Sequence, residues 1–355
     1  MQTILLTGLG APGTWGTIRM LKMGAESSAE ELRIIGIDKS PDVAAKELCD
    51  AVEVICTPKE PQYLSALKKI CLKYAVDCVL PQTTAETDFL SKFKQSLLPT
   101  KILVNDYEAI RVFNNKIETA NLFKMLGLGT PKFFQTKSRE QFIEACHLIG
   151  YPQEPVVVKM PVSNGMRGLR VLRSVPWSFD KFIKEKPSGL DIKLEMMLDL
   201  LNSAEFWPEL MVSEFINGDE YSVDCYRGVS GEIAIPRKRN LIRTGISFIT
   251  TLQRNIQMEE DSLKAARHLN LTGVFGFQFM ADNAGHKILE CNPRVQGTMV
   301  ASLLSGVNIL WASVADTLNI SVPPLSSKFD WTGRACFRYW GAVLDCKNAD
   351  AKIII

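Results

Sequence analysis

Residues 273–297 read "GVFGFQFMADNAGHKILECNPRVQG", two apolar strands joined by a short polar turn. Strand side chains alternate faces, so Glu290, Asn292 and Arg294 fall on one side of the second strand while Leu289 and Cys291 take the other. An acid, an amide and a guanidinium in this spacing suit a site for a hard cation and an anion. Mg2+ takes oxygen ligands and commonly bridges one or two side chains to phosphates, and arginine can hold the charge of a transferred group. In the first strand Gln278 is the polar residue among apolar neighbours. If the strands pair about "ADNAG", Gln278 comes near Glu290 and adds a third oxygen. The same residues also fit a polar sheet face on which Glu290 and Arg294 form a structural salt bridge.

Upstream segments carry further phosphate chemistry. In "VVVKMPVSNGMRG" (156–168) Lys159 closes an apolar strand, and the loop after it contains Gly165 and Gly168. Such a loop lets backbone N–H groups and Arg167 fold over phosphates held by the lysine, although the spacing is not that of a Walker A loop; an exposed hairpin with a strand-end lysine is the alternative. "SEFINGDEYSV" (213–223) sets Glu214 and Glu220 on either side of a Gly218 turn. Backbone groups there can meet an adenine edge and a carboxylate can accept from ribose hydroxyls, or both acids are simply solvated. "TGLGAPG" (7–13) has Gly8, Gly10 and Gly13 in the spacing G-x-G-x-x-G, with Asp38 ending the next strand. That pattern serves either a phosphate cradle or a tight βα turn.

Around these segments the rhythm of the chain changes once. "TILLT", a helix near 14–23, "RIIGI", "VEVIC", a helix near 61–74 and "DCVLP" alternate as βαβ units around a parallel sheet, with a boundary near residue 105. "NNKIETANLFKMLGL" predicts a helix that stops at Gly127 or Gly129, and Ser138 predicts the N-cap of a helix over 138–148. "EPVVVKM" and "GLRVLR" read as a hairpin, residues 177–207 as mostly helical, and "ELMVSEFI", "DEYSVDCYR" and "GEIAIPRKR" as antiparallel strands. Helices are expected near 258–269, 298–304 and 307–318.

Composition excludes several classes. A chain of 355 residues is long enough for more than one core, and its 46% hydrophobic and 23% charged content is that of a folded globular protein. Basic and acidic residues nearly balance at net +2, so no global field points to nucleic acid or to an anionic membrane. No apolar run approaches a membrane span, and a cytoplasmic location is expected. Nine cysteines without a C-x-x-C pair suggest buried thiols, and three histidines leave little for a Ser-His-Asp triad or a His-rich metal site.

Taken in order, the segments around Lys116, Lys159, the 163–168 loop, Glu214 to Glu220, Gln278, Glu290, Asn292 and Arg294 resemble the ATP-grasp superfamily, in the branch close to the carbamoyl-phosphate synthase large subunit. "ILLTGLGAPG", "PQTTAET" and "FRYWGAV" look like single-chain members of that branch, and the likeness runs over nearly the whole chain. The resemblance implies an α/β and α+β protein: a Rossmann-like pre-ATP-grasp domain (1–105), a central ATP-grasp subdomain with phosphate lysines and flap (106–208), a C-terminal subdomain with adenine hinge and metal site (209–345), and a tail (346–355). Lys116 and Lys159 would reach the ATP phosphates. Ser163, Gly165, Arg167 and Gly168 would belong to the glycine-rich flap, which here has Asn164 and Met166 where many relatives have more glycine.

By the same resemblance Glu214, Phe215 and Ile216 would be the adenine hinge and Glu220 the ribose acid. Gln278, Glu290 and Asn292 would hold Mg2+, or Mn2+ in its place, with glutamine replacing a commoner acid. Arg294, Lys238 and Arg243 would steady the γ-phosphate and an acyl phosphate; the alternative for Lys238 and Arg243 is basic edge-strand protection. The implied activity is ATP-dependent ligation of a small-molecule carboxylate to an amine with release of ADP and phosphate, in a homodimer that engages neither nucleic acid nor membrane. Competing readings are a nucleotide-binding regulatory protein without turnover, an enzyme activating bicarbonate or formate, and an NAD-dependent oxidoreductase built on Gly8, Gly10, Gly13 and Asp38. Glu86, in "PQTTAETDFL", follows the fourth strand, where it meets a substrate amine or is a solvent-facing helix acid.

Overall fold

The computed structural model describes residues 1–163, 165–186, 189–325 and 330–339, with the short strands at 343–344 and 353–354. The chain begins with a parallel sheet of β1 (Gln2–Thr7), β2 (Leu32–Asp38), β3 (Ala51–Val54), β4 (Cys78–Leu80) and β5 (Lys101–Ile102), in the order β3-β2-β1-β4-β5. Helices α1 (Thr14–Ser27), α2 (Tyr63–Tyr74) and α3 (Thr84–Lys92) make the crossovers. Ile4, Leu5 and Leu6 are wholly buried, the unbroken apolar run expected of a strand covered on both faces. Strand order reverses at β1, which opens a crevice at the C-terminal ends of β1 and β4. The third glycine of the 7–13 turn has a packing role: a Cβ on Gly13 would stand 2.3 Å from the Gly297 Cα.

Helices α4 (Tyr107–Asn114) and α5 (Lys116–Met125) follow. Asn115 caps α5 by accepting the Ile117 and Glu118 N–H groups, and Gly127, with φ +69, stands just past its end. The second sheet consists of β6 (Phe133–Thr136), β7 (Val156–Lys159), β8 (Leu169–Leu172), β9 (Asp191–Ile192) and β10 (Leu210–Glu214), in the order β6-β10-β7-β8-β9. Its helices are α6 (Arg139–Ile149), α7 (Phe179–Lys184) and α8 (Leu194–Asn202). Ser138 caps α6 as expected, accepting the Gln141 N–H. Residues 177–207 are less helical than their sequence predicts: β9 interrupts them, where the Asp191 carboxylate takes both Arg173 and Lys181.

The third sheet is formed by β11 (Asp219–Gly228), β12 (Gly231–Arg243), β13 (Ile246–Leu252), β14 (Gly273–Asp282), β15 (Gly285–Asn292) and β16 (Ala335–Phe337), in the order β15-β14-β11-β12-β13-β16. Helix α9 (Ile256–His268) packs on β12, and α10 (Ile309–Leu318) is buried along most of its length. The stretch expected as a helix near 298–304 is a 3-10 segment, Met299–Ser305. Val343–Leu344 and Ile353–Ile354 pair as a short ribbon; most of the expected 346–355 tail and residues 340–342 of "FRYWGAV" lie outside the described residues.

Two compact units result. The first gathers Met1–Arg111, Glu220–Phe277 and Cys291–Ile355; the second gathers Val112–Asp219 and the hairpin tip Gln278–Glu290. In the first unit Ile4, Leu6, Ile18, Leu21, Tyr226, Ile235, Val274, Leu310 and Trp311 share one core, so its parallel and antiparallel parts are packed together. The second unit has its own core around Phe142, Val156, Val158, Leu194 and Val212. Among the described residues no single helix is long and apolar enough to cross a membrane; the 3-10 segment and α10 reach such a length only as a pair bent by 100°.

Candidate functional site

In the second unit, Lys116 begins α5 and its backbone N–H donates to the Pro161 carbonyl at 2.9 Å. Its ammonium donates to the Ser163 carbonyl at 2.7 Å and to Ser163 Oγ at 3.1 Å. Burial lowers the Lys116 pKa; the nearby Lys159 charge adds to that shift and the Glu290 carboxylate opposes it. Lys116, Lys159, Ser163 and Glu290 thus converge, although they lie on a helix, two strands and a loop. Lys159 closes β7 between Leu169 of β8 and Met211 of β10, so a rigid three-strand ladder sets its position.

The loop after Lys159 is exposed from Gly165 to Gly168, with positive φ at Gly165, Met166 and Gly168. Gly168 needs its missing side chain, since a Cβ would stand 2.4 Å from Met160 Cγ. Arg167 is on the exposed part of this loop, and the expectation about Asn164 lies outside the described residues. At the end of β10, Glu214, Phe215 and Ile216 are half-buried. The Glu214 N–H donates to the Lys132 carbonyl, and Arg173 lies over the Phe215 ring at 4.7 Å. Gln278 and Glu290 are half-buried on the neighbouring strands β14 and β15.

In the first unit, β11 and β12 carry the charged residues. Tyr221 pairs with Lys238, and the Glu220 carboxylate accepts from Arg239. Lys238 is half-buried, while Arg243 is exposed at the end of β12 with its guanidinium 5.1 Å from the centre of the Phe248 ring. Edge protection does not account for "RKR": β12 is an interior strand between β11 and β13, and Arg237 is fully buried. Arg294 lies just past the strand expected to carry it, and its guanidinium still meets the Asn292 side chain. β15 ends at Asn292, and Pro293, lacking an N–H, cannot extend the ladder. Arg294 instead turns back, donating to Asn292 Oδ1 at 3.2 Å and to Thr84 Oγ1 at 3.3 Å.

Sequence reading missed a buried charged group in the first unit. Arg237 and Asp224, both with wholly buried side chains, form a two-bond ion pair at 2.7 and 3.1 Å. The Arg237 guanidinium also donates to Thr298 Oγ1 at 2.7 Å and Gln296 Oε1 at 3.4 Å. Arg338 donates to the Pro12 carbonyl at 2.7 Å, and its pKa is lowered by burial and by Arg237. Arg237 Nη1, Gln296 Nε2 and Arg338 Nη1 are buried donors without a hydrogen-bond partner among the described residues. These three donors, two of them on guanidinium groups, form an environment short of an acceptor, preferably an anion. The available sequence signal was the position of Asp224 and Arg237, two charges set within apolar strand runs.

Glu86 is not a solvent-facing acid. Its carboxylate is buried and closes a capping box with Thr83 at the start of α3, and burial raises its pKa. For a metal, the oxygen set of Gln278, Glu290 and Asn292 has the right chemistry for Mg2+, and the Glu290 charge acts at the same place as both lysines. Among the described residues no three His, Cys, Asp or Glu side chains cluster as a metal site, so the binding would depend on amide oxygens and phosphate.

Comparison with known proteins shows what the chain is similar to. Residues 5–104 match the family described as PylC-like, N-terminal domain, and residues 206–332 match the family described as ATP-grasp in the biosynthetic pathway with Ter operon. The chain is 23% identical over 318 residues to the 3-methyl-D-ornithine–L-lysine ligase of Methanosarcina barkeri, covering 87% of this chain and 72% of the relative. It is 22% identical over 312 residues to a carbamoyl-phosphate synthase of Methanobrevibacter smithii, covering 82% and 75%. The ADP complex of N5-carboxyaminoimidazole synthetase from Staphylococcus aureus superposes with a TM-score of 0.66 at 16% identity, covering 91% of this chain and 78% of that one; this likeness is one of fold.

Proposed function

We propose, for a chain that joins a PylC-like N-terminal domain to an ATP-grasp domain, that it is an ATP-dependent ligase activating a small-molecule carboxylate as an acyl phosphate and passing it to an amine. The observation that carries this reading is the convergence of Lys116 and Lys159 with Glu290. Two like charges in a partly buried place oppose each other's protonation, and a polyphosphate relieves that opposition. Lys116, Lys159, Ser163, Gly165, Arg167 and Gly168 bind the phosphates; Glu214, Phe215 and Ile216 receive adenine; Glu220 accepts from ribose. Gln278, Glu290 and Asn292 would hold Mg2+, which would supply charge neutralisation at the phosphates.

The substrate carboxylate is held toward the γ-phosphate by cationic groups, and no protein nucleophile is required. Arg294, Arg243 and Lys238 stabilise the charge that develops during transfer, and Arg338 and Gln296 offer further donors to the carboxylate. In-line positioning and preorganised positive charge are the main resources for such a reaction. The amine then attacks the acyl carbon, a C–N bond forms and phosphate leaves. The small-molecule partners are thus a carboxylate and an amine. A cytoplasmic setting fits the eight described cysteines, all free thiols.

The test is an ADP-release screen over carboxylates with and without amines, with hydroxylamine present to trap the acyl phosphate as a hydroxamate detected by mass spectrometry. Hydroxamate formed in step with ADP supports the reading. Tight MgATP binding without ADP release from any carboxylate favours a regulatory nucleotide-binding role, and ADP release driven by bicarbonate or formate alone shifts the substrate class.

A further inference from the structure

Glu220 has a partner that the resemblance did not supply. The Arg239 side chain is only 6% exposed, and its guanidinium donates to a carboxylate, a hydroxyl and a carbonyl. Nη1 donates to Glu220 Oε1, Nε to Ser247 Oγ at 2.7 Å, and Nη2 to the Gly245 carbonyl at 2.6 Å. The hairpin that closes on it is irregular: the β12–β13 register shifts between Arg239 and Leu241 and again between Leu241 and Ile242. Thr244 at φ +49 and Gly245 at φ +79 then turn the chain. Bulges of this kind bend and twist a strand, and here the bent tip returns a carbonyl to the guanidinium. The tip carries Arg243, whose guanidinium lies on Phe248 beyond the turn.

We propose that Arg239 is a positioning residue for nucleotide recognition: it fixes the Glu220 carboxylate for the ribose hydroxyls and, with the same guanidinium, seats the 240–247 hairpin tip that bears Arg243. This rests on the reading of Glu220 as the ribose acid. An ionised carboxylate has about four lone-pair positions, so it accepts from a ribose hydroxyl while Arg239 holds its rotamer. The planar five-donor fork of arginine lets one side chain hold a carboxylate, a hydroxyl and a carbonyl together; a lysine ammonium, a point charge on a flexible stem, does not reproduce that geometry. Selectivity for a ribonucleotide and order at the hairpin tip therefore depend on one residue.

The experiment compares the full chain with Arg239→Lys, Arg239→Met and Glu220→Gln. Calorimetric titration gives Kd for MgATP, Mg-2′-deoxy-ATP and Mg-3′-deoxy-ATP, and a trypsin time course reports cleavage after Arg243. The wild type is expected to prefer MgATP over one deoxy analogue by about tenfold or more, the scale of one hydrogen bond to a charged group. Both Arg239 variants lose most of that ratio and are cut faster at the tip, and lysine rescues neither effect fully; Glu220→Gln loses the ratio but keeps the tip resistant. Arg239→Lys retains a cation and its aliphatic stem, so it separates loss of the fork from loss of the strand. Wild-type discrimination together with wild-type trypsin resistance in Arg239→Met overturns the proposal. A wild-type chain that binds MgATP but treats the deoxy analogues alike overturns it through Glu220, whereas one that binds no MgATP overturns the nucleotide reading itself.

Discussion

Replacing Asp224 with asparagine should weaken the first unit more than almost any other single change of similar size. Both Asp224 and Arg237 have wholly buried side chains, joined by bonds of 2.7 and 3.1 Å. Asparagine keeps the shape and removes the charge, leaving Arg237 as a buried cation whose acceptors, the remaining amide oxygen at 224 with Gln296 and Thr298, are all neutral. Breaking one side of such a pair costs about 3–5 kcal/mol, a population change of about three orders of magnitude. With a urea dependence of about 3 kcal/mol per molar, the midpoint for this unit falls by ~1.3 M. Hydrogen exchange read by mass spectrometry on peptides from 220–243 follows the first unit alone and should show the corresponding loss of protection. The double replacement Asp224→Leu with Arg237→Met removes both charges and should recover most of the loss, because a buried ion pair exchanged for apolar side chains is often neutral or better. A single-variant midpoint shift below about 0.3 M, or a double variant no more stable than Asp224→Asn, would refute the reasoning.

Other expectations concern the site and the N-terminal sheet. Glu290→Ala should abolish carboxylate-dependent ADP release while the melting profile stays near that of the wild type; retained turnover removes Glu290 from the metal set. Since Lys116 has a lowered pKa, a bound polyphosphate should raise it, so MgATP binding in alkaline buffer should take up protons. Titrations in buffers of different ionisation heat measure that uptake, and Lys116→Met should lose it. Glu86 has a raised pKa in the folded chain; the fold binds its proton more tightly than the unfolded chain does, and its contribution to stability declines as pH rises from the ordinary carboxylate range toward the raised value. Glu86→Gln keeps the capping box and should flatten this slope, whereas Glu86→Ala should lose about 1 kcal/mol at every pH; urea titrations from pH 4 to 7 distinguish the two.

Local chemistry made much of the fold readable. Apolar alternation identified the parallel sheet, Ser138 the start of α6, and Gly127 the end of α5, because each depends on neighbours within a few positions. The errors have physical causes of the same kind. Residues 177–207 contain helix-forming stretches, but an Asp191 ion-pair pattern with Arg173 and Lys181 accompanies a short strand there. β15 ends at Asn292, before Pro293, so Arg294 lies outside the strand expected to carry it. The Arg237 group was invisible because Asp224, Gln296, Thr298 and Arg338 meet only after folding brings distant strands together. Charges within apolar runs were the sole sequence trace of it.

The meeting of Gly13 and Gly297 changes what a familiar pattern stands for. In a dinucleotide-binding turn the glycines clear a path for a pyrophosphate; here the space beside the third glycine is filled by the protein's own backbone. At its third glycine the motif is a seam between two backbone segments. A side chain placed at Gly13 would press on the Gly297 backbone and strain the junction between the N-terminal sheet and the segment that carries Arg294, whereas a Cβ on Gly297 would meet Gly13 only at 3.6 Å, an ordinary contact.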